Sequence, residues 1–380
     1  YTENWTLDLQ WQPRNTVVLT AAYVGNRGLH EVLPIPFNQP LIATPQHPVN
    51  GQIYSYSLNV TSQETLSTLD GGNIDVRVPY IGYSPNSVLW TAEGISTYNA
   101  LQLGVTKRMS HGLQVGASYT WSHSLDEGSG LGLFYNGNNP FDPRSSYASS
   151  DFDRTHVLTF NYLYSLPKVG TLHGLWDKLA NGWALAGTAV LETGQPYNVY
   201  DFSGGLASIY YGPGNDYITN PTVPLAPGFT VGSAQTGALG TDPNHPALNP
   251  AAFTIPIIQP GQMGVPACDP GNPPVCDNFE TNFGNGGRNT FRSAAQERGD
   301  ISIIKNIPIN ERMALKYSFD IFNLTNTPSF DAPNNNVLFN PCFGGVQFCG
   351  FSFPPVGNLG VVQHTIGSPR FIQMALHLTF

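Results

Sequence analysis

The chain has 380 residues and a net charge of −9, with only 11% charged residues, 40 Gly and 32 Pro. That acidic balance excludes a nucleic-acid partner, which needs a basic footprint. No run of 18 apolar residues exists, so no transmembrane helix is predicted. With 18 Tyr and 21 Phe, the composition points to an all-β chain of many strands, many turns and long irregular loops. The start, Tyr1-Thr-Glu-Asn-Trp5, lacks the basic and apolar segments of a signal peptide.

Strands announce themselves by period-two alternation. Residues 4–12 put Trp5, Leu7, Leu9 and Trp11 on one face, and Thr6, Asp8 and Gln10 on the other. A turn at Pro13-Arg14-Asn15 leads into residues 16–26, with Val17, Leu19, Ala21 and Tyr23 on the apolar side. The next hairpin carries Leu101, Leu103 and Val105, turns near Ser110-His111-Gly112, and returns with Leu113, Val115, Ala117, Tyr119 and Trp121. Its opposite face is Gly, Ser, Thr and Gln, as expected of a wall facing a hydrated lumen. A third pair spans 154–166 and 182–193, and Leu175-Trp-Asp-Lys-Leu179 between them predicts one short interfacial helix. A fourth pair spans 299–308 and 312–323, where Lys316 and Asp320 lie opposite Leu315, Tyr317, Phe319 and Ile321. Two charges on that face argue for water, because a charge on the lipid face at mid-membrane costs roughly 2–4 kcal/mol.

The tail, Arg370-Phe-Ile-Gln-Met-Ala-Leu-His-Leu-Thr-Phe380, alternates to the last residue and gives a ninth strand. Short connections near Arg14, Ser110, Leu175 and Asn310 alternate with long ones over 27–96, 125–153, 194–298 and 324–369. Long structureless loops are rare in soluble domains; outer-membrane barrels combine short periplasmic turns with long extracellular loops. The reading is therefore an antiparallel transmembrane β-barrel segment of about nine strands in the cell outer membrane, in contact with outer-membrane lipid. Trp11, Tyr98, Trp121, Tyr164, Trp183 and Phe380, near strand ends, are expected in the interfacial girdles. Nine strands starting outside do not make a bacterial barrel of even strand number. The expectation is that residues 1–380 form the C-terminal part of a larger barrel whose plug domain and N-terminal strands lie elsewhere.

Four cysteines fall in two close pairs, Cys268 with Cys276 and Cys342 with Cys349. Such spacing suits loop-closing disulfides in an oxidising compartment; a metal site is the alternative, though neither pair is C-x-x-C and no His adjoins them. Ser122-His123-Ser124 is the nearest local match to a Ser/His catalytic site, which would need a third orienting group. Gly128-Ser-Gly-Leu-Gly132 is no phosphate loop, since no Lys follows. Asp142, Asp151 and Asp153 allow two readings, an oxygen-rich Ca²⁺ site or a loop anchor in which Asp151, Asp153 and Arg154 form an Asp–Arg pair. Tyr210, Tyr211 and Tyr217, with Asn215 and Asp216, would suit carbohydrate or peptide contact. No cofactor and no catalytic centre is expected.

The tail also resembles the β-signal that the barrel assembly machinery recognises. Gln373, Leu378 and Phe380 match it, while Ala375 replaces the usual Gly. Several ordered segments look like the C-terminal barrel of TonB-dependent outer-membrane receptors, in particular the Oar-like group that begins with a carboxypeptidase-regulatory-like domain. They are Ser96-Thr-Tyr-Asn-Ala-Leu-Gln-Leu103 with Lys107-Arg108, Tyr119-Thr-Trp-Ser-His-Ser124, Ser150-Asp-Phe-Asp-Arg-Thr-His156, Asn181-Gly-Trp183 with Thr193-Gly-Gln-Pro-Tyr197, and Phe319-Asp-Ile-Phe-Asn-Leu-Thr-Asn326. The resemblance implies a 22-stranded barrel around an N-terminal plug, energised by the TonB complex through parts not in this chain. The expected function is uptake of a large extracellular substrate such as a siderophore, glycan or peptide. The alternative is a non-energised surface barrel, an adhesin or porin-like protein.

Overall fold

A computed structural model describes residues 1–43, 47–52, 74–130, 135–201, 206–211, 220–253, 282–337 and 358–380. Nine long strands form one antiparallel meander in chain order: β1 (Thr2–Arg14), β2 (Val17–Pro36), β3 (Val88–Ser110), β4 (Leu113–Asp126), β5 (His156–Ser165), β6 (Trp183–Glu192), β7 (Gln296–Pro308), β8 (Ala314–Phe322) and β9 (Phe371–Thr379). The fold is an all-β outer-membrane wall with short periplasmic turns and long extracellular loops. No helix among the described residues is long and apolar enough to cross a membrane. The expected helix between β5 and β6 is present at Leu175–Ala180.

The ladder registers carry one apolar face across the sheet. Leu9 lies opposite Ala21, Ala21 opposite Leu103, Leu103 opposite Tyr119, and Tyr119 opposite Leu158. At the other end Ile303 lies opposite Phe319, and Phe319 opposite Met374. Directly opposed residues share a face, so this surface meets lipid; Met374 and Leu376 are 64% and 65% exposed on it. The opposite face is hydroxyls, amides and carboxylates: Ser318 donates to Asp320 at 2.9 Å, Ser302 donates to the same carboxylate, and Thr188 reaches Asp300 at 3.4 Å. Most strands from β5 onward have 9 or 10 residues, the length that crosses the hydrocarbon when tilted.

Two lysines share the apolar face with these lipid-facing side chains. Lys107 and Lys305 each lie three residues short of their strand's periplasmic end, at 107 of 110 and 305 of 308. Lys107 Nζ donates to Ser110 O at 3.0 Å, Ser110 Oγ at 2.9 Å and Leu113 O at 2.5 Å, closing its own turn. Lys305 Nζ donates to Leu179 O at 2.9 Å and to Asn181 O, and sits 4.7 Å from the Trp183 ring centroid. The helix 175–180 is thus held over the lysine by its own C-terminal carbonyls, where a cation is favoured. Gly182 turns the chain back into β6 at φ 86, and a Cβ there would sit 2.3 Å from Asn306 O.

The strands depart from the sequence pattern in two places. The connection over 27–96 is not all loop: β2 and β3 stay paired from Arg27↔Thr97 to Pro36↔Val88, through a bulge around Leu29 and Glu31 and with His30 at φ 57. Pro34 and Pro36 are tolerated because β1 ends opposite Gly28 and β4 opposite Ser96. Beyond those points no third strand among the described residues pairs with the ribbon, and a missing N–H on such an outer edge costs no ladder bond. Tyr98 is not a girdle residue. It lies opposite Asn26 and Ser124, on the face of Ala100 and Gln102, because it is an odd number of residues from Leu101.

The hydrophobic core lies outside the wall. Tyr197, Val223, Leu248, Phe253, Phe291 and Val337 belong to one buried cluster drawn from the loops after β6 and β8. Pro196–Tyr197 pairs with Phe291–Arg292, and Ser329–Phe330 pairs with Thr365–Ile366. These loops therefore form a packed extracellular cap.

Candidate functional site

The cap is tied to the wall by arginines. Arg288, 9% exposed, donates to Asp126 Oδ1 at 2.7 Å, Asp126 O at 2.8 Å, Ser129 Oγ at 2.6 Å and Asp151 Oδ1 at 3.1 Å. The neighbouring Asn289, at φ 52, adds bonds to Asp151 Oδ1 and Ser149 O, both at 2.6 Å. Arg292 pairs with Asp153 Oδ2 and donates to Asp153 O at 3.2 Å. Asp153, 1% exposed, also accepts from the Ser124 amide at 2.7 Å and faces His123 Nδ1 at 3.4 Å. Asp126 extends the face of Ser122 and Ala100, which is the lumen face. The loop that carries Arg288 therefore reaches the lumen side of β4 at its extracellular end.

Asp151 and Asp153 therefore meet Arg288 and Arg292, from more than 130 residues later in the chain, while Arg154 turns away to Thr193 O at 2.6 Å and Glu192 at 3.6 Å. Guanidinium groups fill the positions a cation would take beside both carboxylates. Asp142 lies apart, its carbonyl receiving Ser145 Oγ at 2.6 Å. Ser122 and His123 sit on opposite faces of β4, so their side chains do not form a pair; Ser122 Oγ donates to Arg154 O at 2.9 Å. Ser129, in the glycine-rich stretch, bridges Asp126 and Ser150. Gly128 and Gly130 border a cavity of about 20 Å³ that also meets Glu127, room for one water. Glu127 is 6% exposed; Oε2 accepts the Ile95 amide at 3.1 Å, and burial pushes the carboxyl up despite that bond and Arg144, with Glu93 and Glu31 adding to the rise.

Tyr210 stacks on Phe283 at 4.9 Å and Tyr211 is 5% exposed, so these rings pack the cap. Tyr217, Asn215, Asp216 and all four cysteines, Cys268, Cys276, Cys342 and Cys349, lie outside the described residues. Gln373 faces the lumen opposite Asp320, Leu378 faces lipid opposite Leu315, and Phe380 follows the last strand with 91% of its surface exposed. Nothing local in the sequence singles out Arg288 or Arg292. Arg288 merely follows two glycines in a Gly-Gly-Arg-Asn turn, and Arg292 lies outside it.

Buried phenols make the cap sensitive to alkali. Burial holds the Tyr135 hydroxyl at about 12, against the Ser146 bond that opposes the rise, and burial likewise raises Tyr197 and Tyr211. A raised folded value means stability that is complete below the ordinary tyrosine value of about 10 and lost as the pH climbs through the raised values. Above about pH 10, tyrosinate absorbance and protease cleavage within the cap are expected to rise together while the wall keeps its strand circular dichroism. Cleavage that stays flat through the Tyr135 value of about 12 would contradict this.

An antiparallel wall with one lipid-facing surface, a polar lining and packed extracellular loops defines an outer-membrane β-barrel protein. The family described as "Outer membrane beta barrel domain" matches residues 1–373, and the chain belongs to it. It resides in the cell outer membrane. No curated protein matches the sequence. Among solved structures it is similar to the ferric-catecholate import receptor Fiu of E. coli K12 (TM-score 0.39, 10% identity, 100% of this chain and 27% of that one). It is also similar to the outer-membrane transporter YddB of Escherichia coli (0.40, 7%, 100% and 32%) and to P. aeruginosa FpvA bound to heterologous pyoverdines (0.39, 9%, 100% and 27%). The chain thus spans less than a third of each of these proteins.

Proposed function

We propose that the chain is barrel wall and extracellular cap of a TonB-dependent receptor of the Oar-like type, importing a large nutrient across the outer membrane. The observation that carries this reading is Arg288, a loop cation seated on the lumen-facing Asp126, which fastens the cap on the lumen side of the wall. A loop fastened on the lumen side suits a gated pathway better than an open porin. The outer edges of β1 and β9, which pair with no other strand among the described residues, would join further strands in the complete barrel. The TonB complex would engage the receptor through parts beyond this chain. In cells carrying the full-length protein, nutrient uptake should stop when TonB is deleted or the proton gradient collapsed. Uptake or adhesion that survives both would establish the non-energised surface barrel instead.

Gln373, Leu378 and Phe380 are proposed as the assembly signal. In the full-length protein, Phe380→Ser should lower the heat-modifiable, membrane-inserted fraction several-fold, with a matching rise of unfolded protein in the periplasm. Unchanged insertion would remove Phe380 from that role.

A further inference from the structure

The two-stranded extension of β2 and β3 ends in an aromatic tip that the wall and the cap core do not use. Tyr80 and Tyr83 are 59% and 61% exposed on the turn after Pro79, and Phe37 leans against both, with ring centroids 6.1 and 6.0 Å away. The turn is held from beneath by buried amides. Asn38, fully buried, donates to Tyr83 O at 2.7 Å and Tyr80 O at 3.1 Å and accepts the Tyr80 amide at 2.9 Å; Gln39 donates to Pro85 O at 3.0 Å. Arg77 fixes the base through Leu41 O at 2.6 Å and Tyr210 O at 2.8 Å. Rings on such a support are pre-organised, so little ordering entropy opposes binding.

We propose that this tip is a binding site for a neutral saccharide chain. Neither segment 32–43 nor segment 79–92 contains an Asp, Glu, Lys, Arg or His, in a chain whose net charge is −9. The cation close by, Arg77, is fully buried and committed to two carbonyls, so an anionic ligand such as a ferric catecholate finds no counter-charge in either segment. The negative π face of an aromatic ring receives the weakly positive C–H face of a pyranose. The hydroxyls of Tyr80 and Tyr83 supply donors and acceptors for sugar hydroxyls, and Ser84 Oγ, which accepts the Asn86 amide at 3.1 Å, keeps its own proton to donate. The large apolar side chains exposed over 37–43 and 79–85 are Phe37, Leu41, Tyr80, Ile81 and Tyr83, and three of the five are rings. The site narrows the proposed nutrient to the saccharide class, and it rests on the uptake reading only for the steps after capture.

The test is affinity electrophoresis of the purified full-length protein in detergent, in native gels containing dextran, xylan, galactomannan or mixed-linkage β-glucan. Retardation is expected on at least one polymer, unchanged from about 0.05 to about 0.5 M salt because no charges take part. The Tyr80→Ala/Tyr83→Ala variant should bind at least about tenfold more weakly, and Tyr83→Trp, which keeps a stacking face, should retain binding. Heat-modifiable migration of each variant checks that the fold survives. The proposal is overturned by absence of retardation on all four polymers, by retardation indifferent to both tyrosines, or by dependence on salt. Chemical cross-linking that yields dimers lost in the double variant would assign the tip to a second copy of the chain. Because this assay needs no energy source, its failure leaves TonB-dependent uptake standing, and failure of uptake leaves saccharide binding standing.

Discussion

Arg288→Met is expected to open the extracellular cap without unfolding the wall. The side chain is 7% exposed and faces an Asp126 carboxylate that is 11% exposed. Removing one partner of a buried pair leaves the other charge uncompensated and costs about 3–5 kcal/mol. The loss falls on the cap, because β4 and its neighbours keep their ladders whether or not the loop is seated. Deuterium exchange should rise by orders of magnitude over 282–294, 127–130 and 135–153, while the amides of β5 to β8 stay protected. Adding Asp126→Asn should recover part of the protection by removing the stranded charge. Uniform exchange across the wall and cap would show that the two unfold as one unit.

Once the protein is folded in lipid vesicles, with no assembly machinery present, Met374→Arg should destabilise it strongly, whereas Gln373→Arg should be tolerated. Met374 lies opposite Phe319 on the lipid face near the middle of β9, and Gln373 lies opposite Asp320 in the lumen. A cation at mid-membrane on the outer surface costs roughly 2–4 kcal/mol; beside Asp320 it meets water and an opposite charge. Equilibrium unfolding of the full-length protein in lipid vesicles should place the two variants on opposite sides of that margin. Equal effects would mean that the register of the last two strands is shifted by one residue.

Most of the wall was legible in the sequence because a strand with lipid on one side and water on the other must alternate, and alternation survives without any knowledge of partners. Hence β5, β6 and β9 were bounded to within about two residues, an ordinary margin for strand ends. The extension of β2 was not legible. Gly28, His30, Pro34 and Pro36 have loop chemistry, and only pairing with residues 88–96 makes them a strand. The site was harder still. Asp151 and Asp153 stood out locally, but the arginines that meet them come from a loop whose approach depends on a core assembled from Tyr197, Phe253, Phe291 and Val337. Contacts over such separations leave no period to read. The nearest cation in sequence, Arg154, is instead occupied by Thr193 and Glu192.

Lys107 and Lys305 set a limit on where the molecule rides in its bilayer. Both ammonium groups lie on the lipid side just above the periplasmic turns, Lys305 buried beneath the helix 175–180, and both are held by carbonyl oxygens. Movement of the wall toward the cell exterior is therefore free until those lysines reach the hydrocarbon, and then meets a steep electrostatic stop. A thickened bilayer would press against that stop on the inner leaflet, while the outer leaflet meets paired strand that continues well past the span. Hydrophobic mismatch should thus be absorbed asymmetrically, by deformation of inner-leaflet lipid around two fixed charges rather than by a change in tilt.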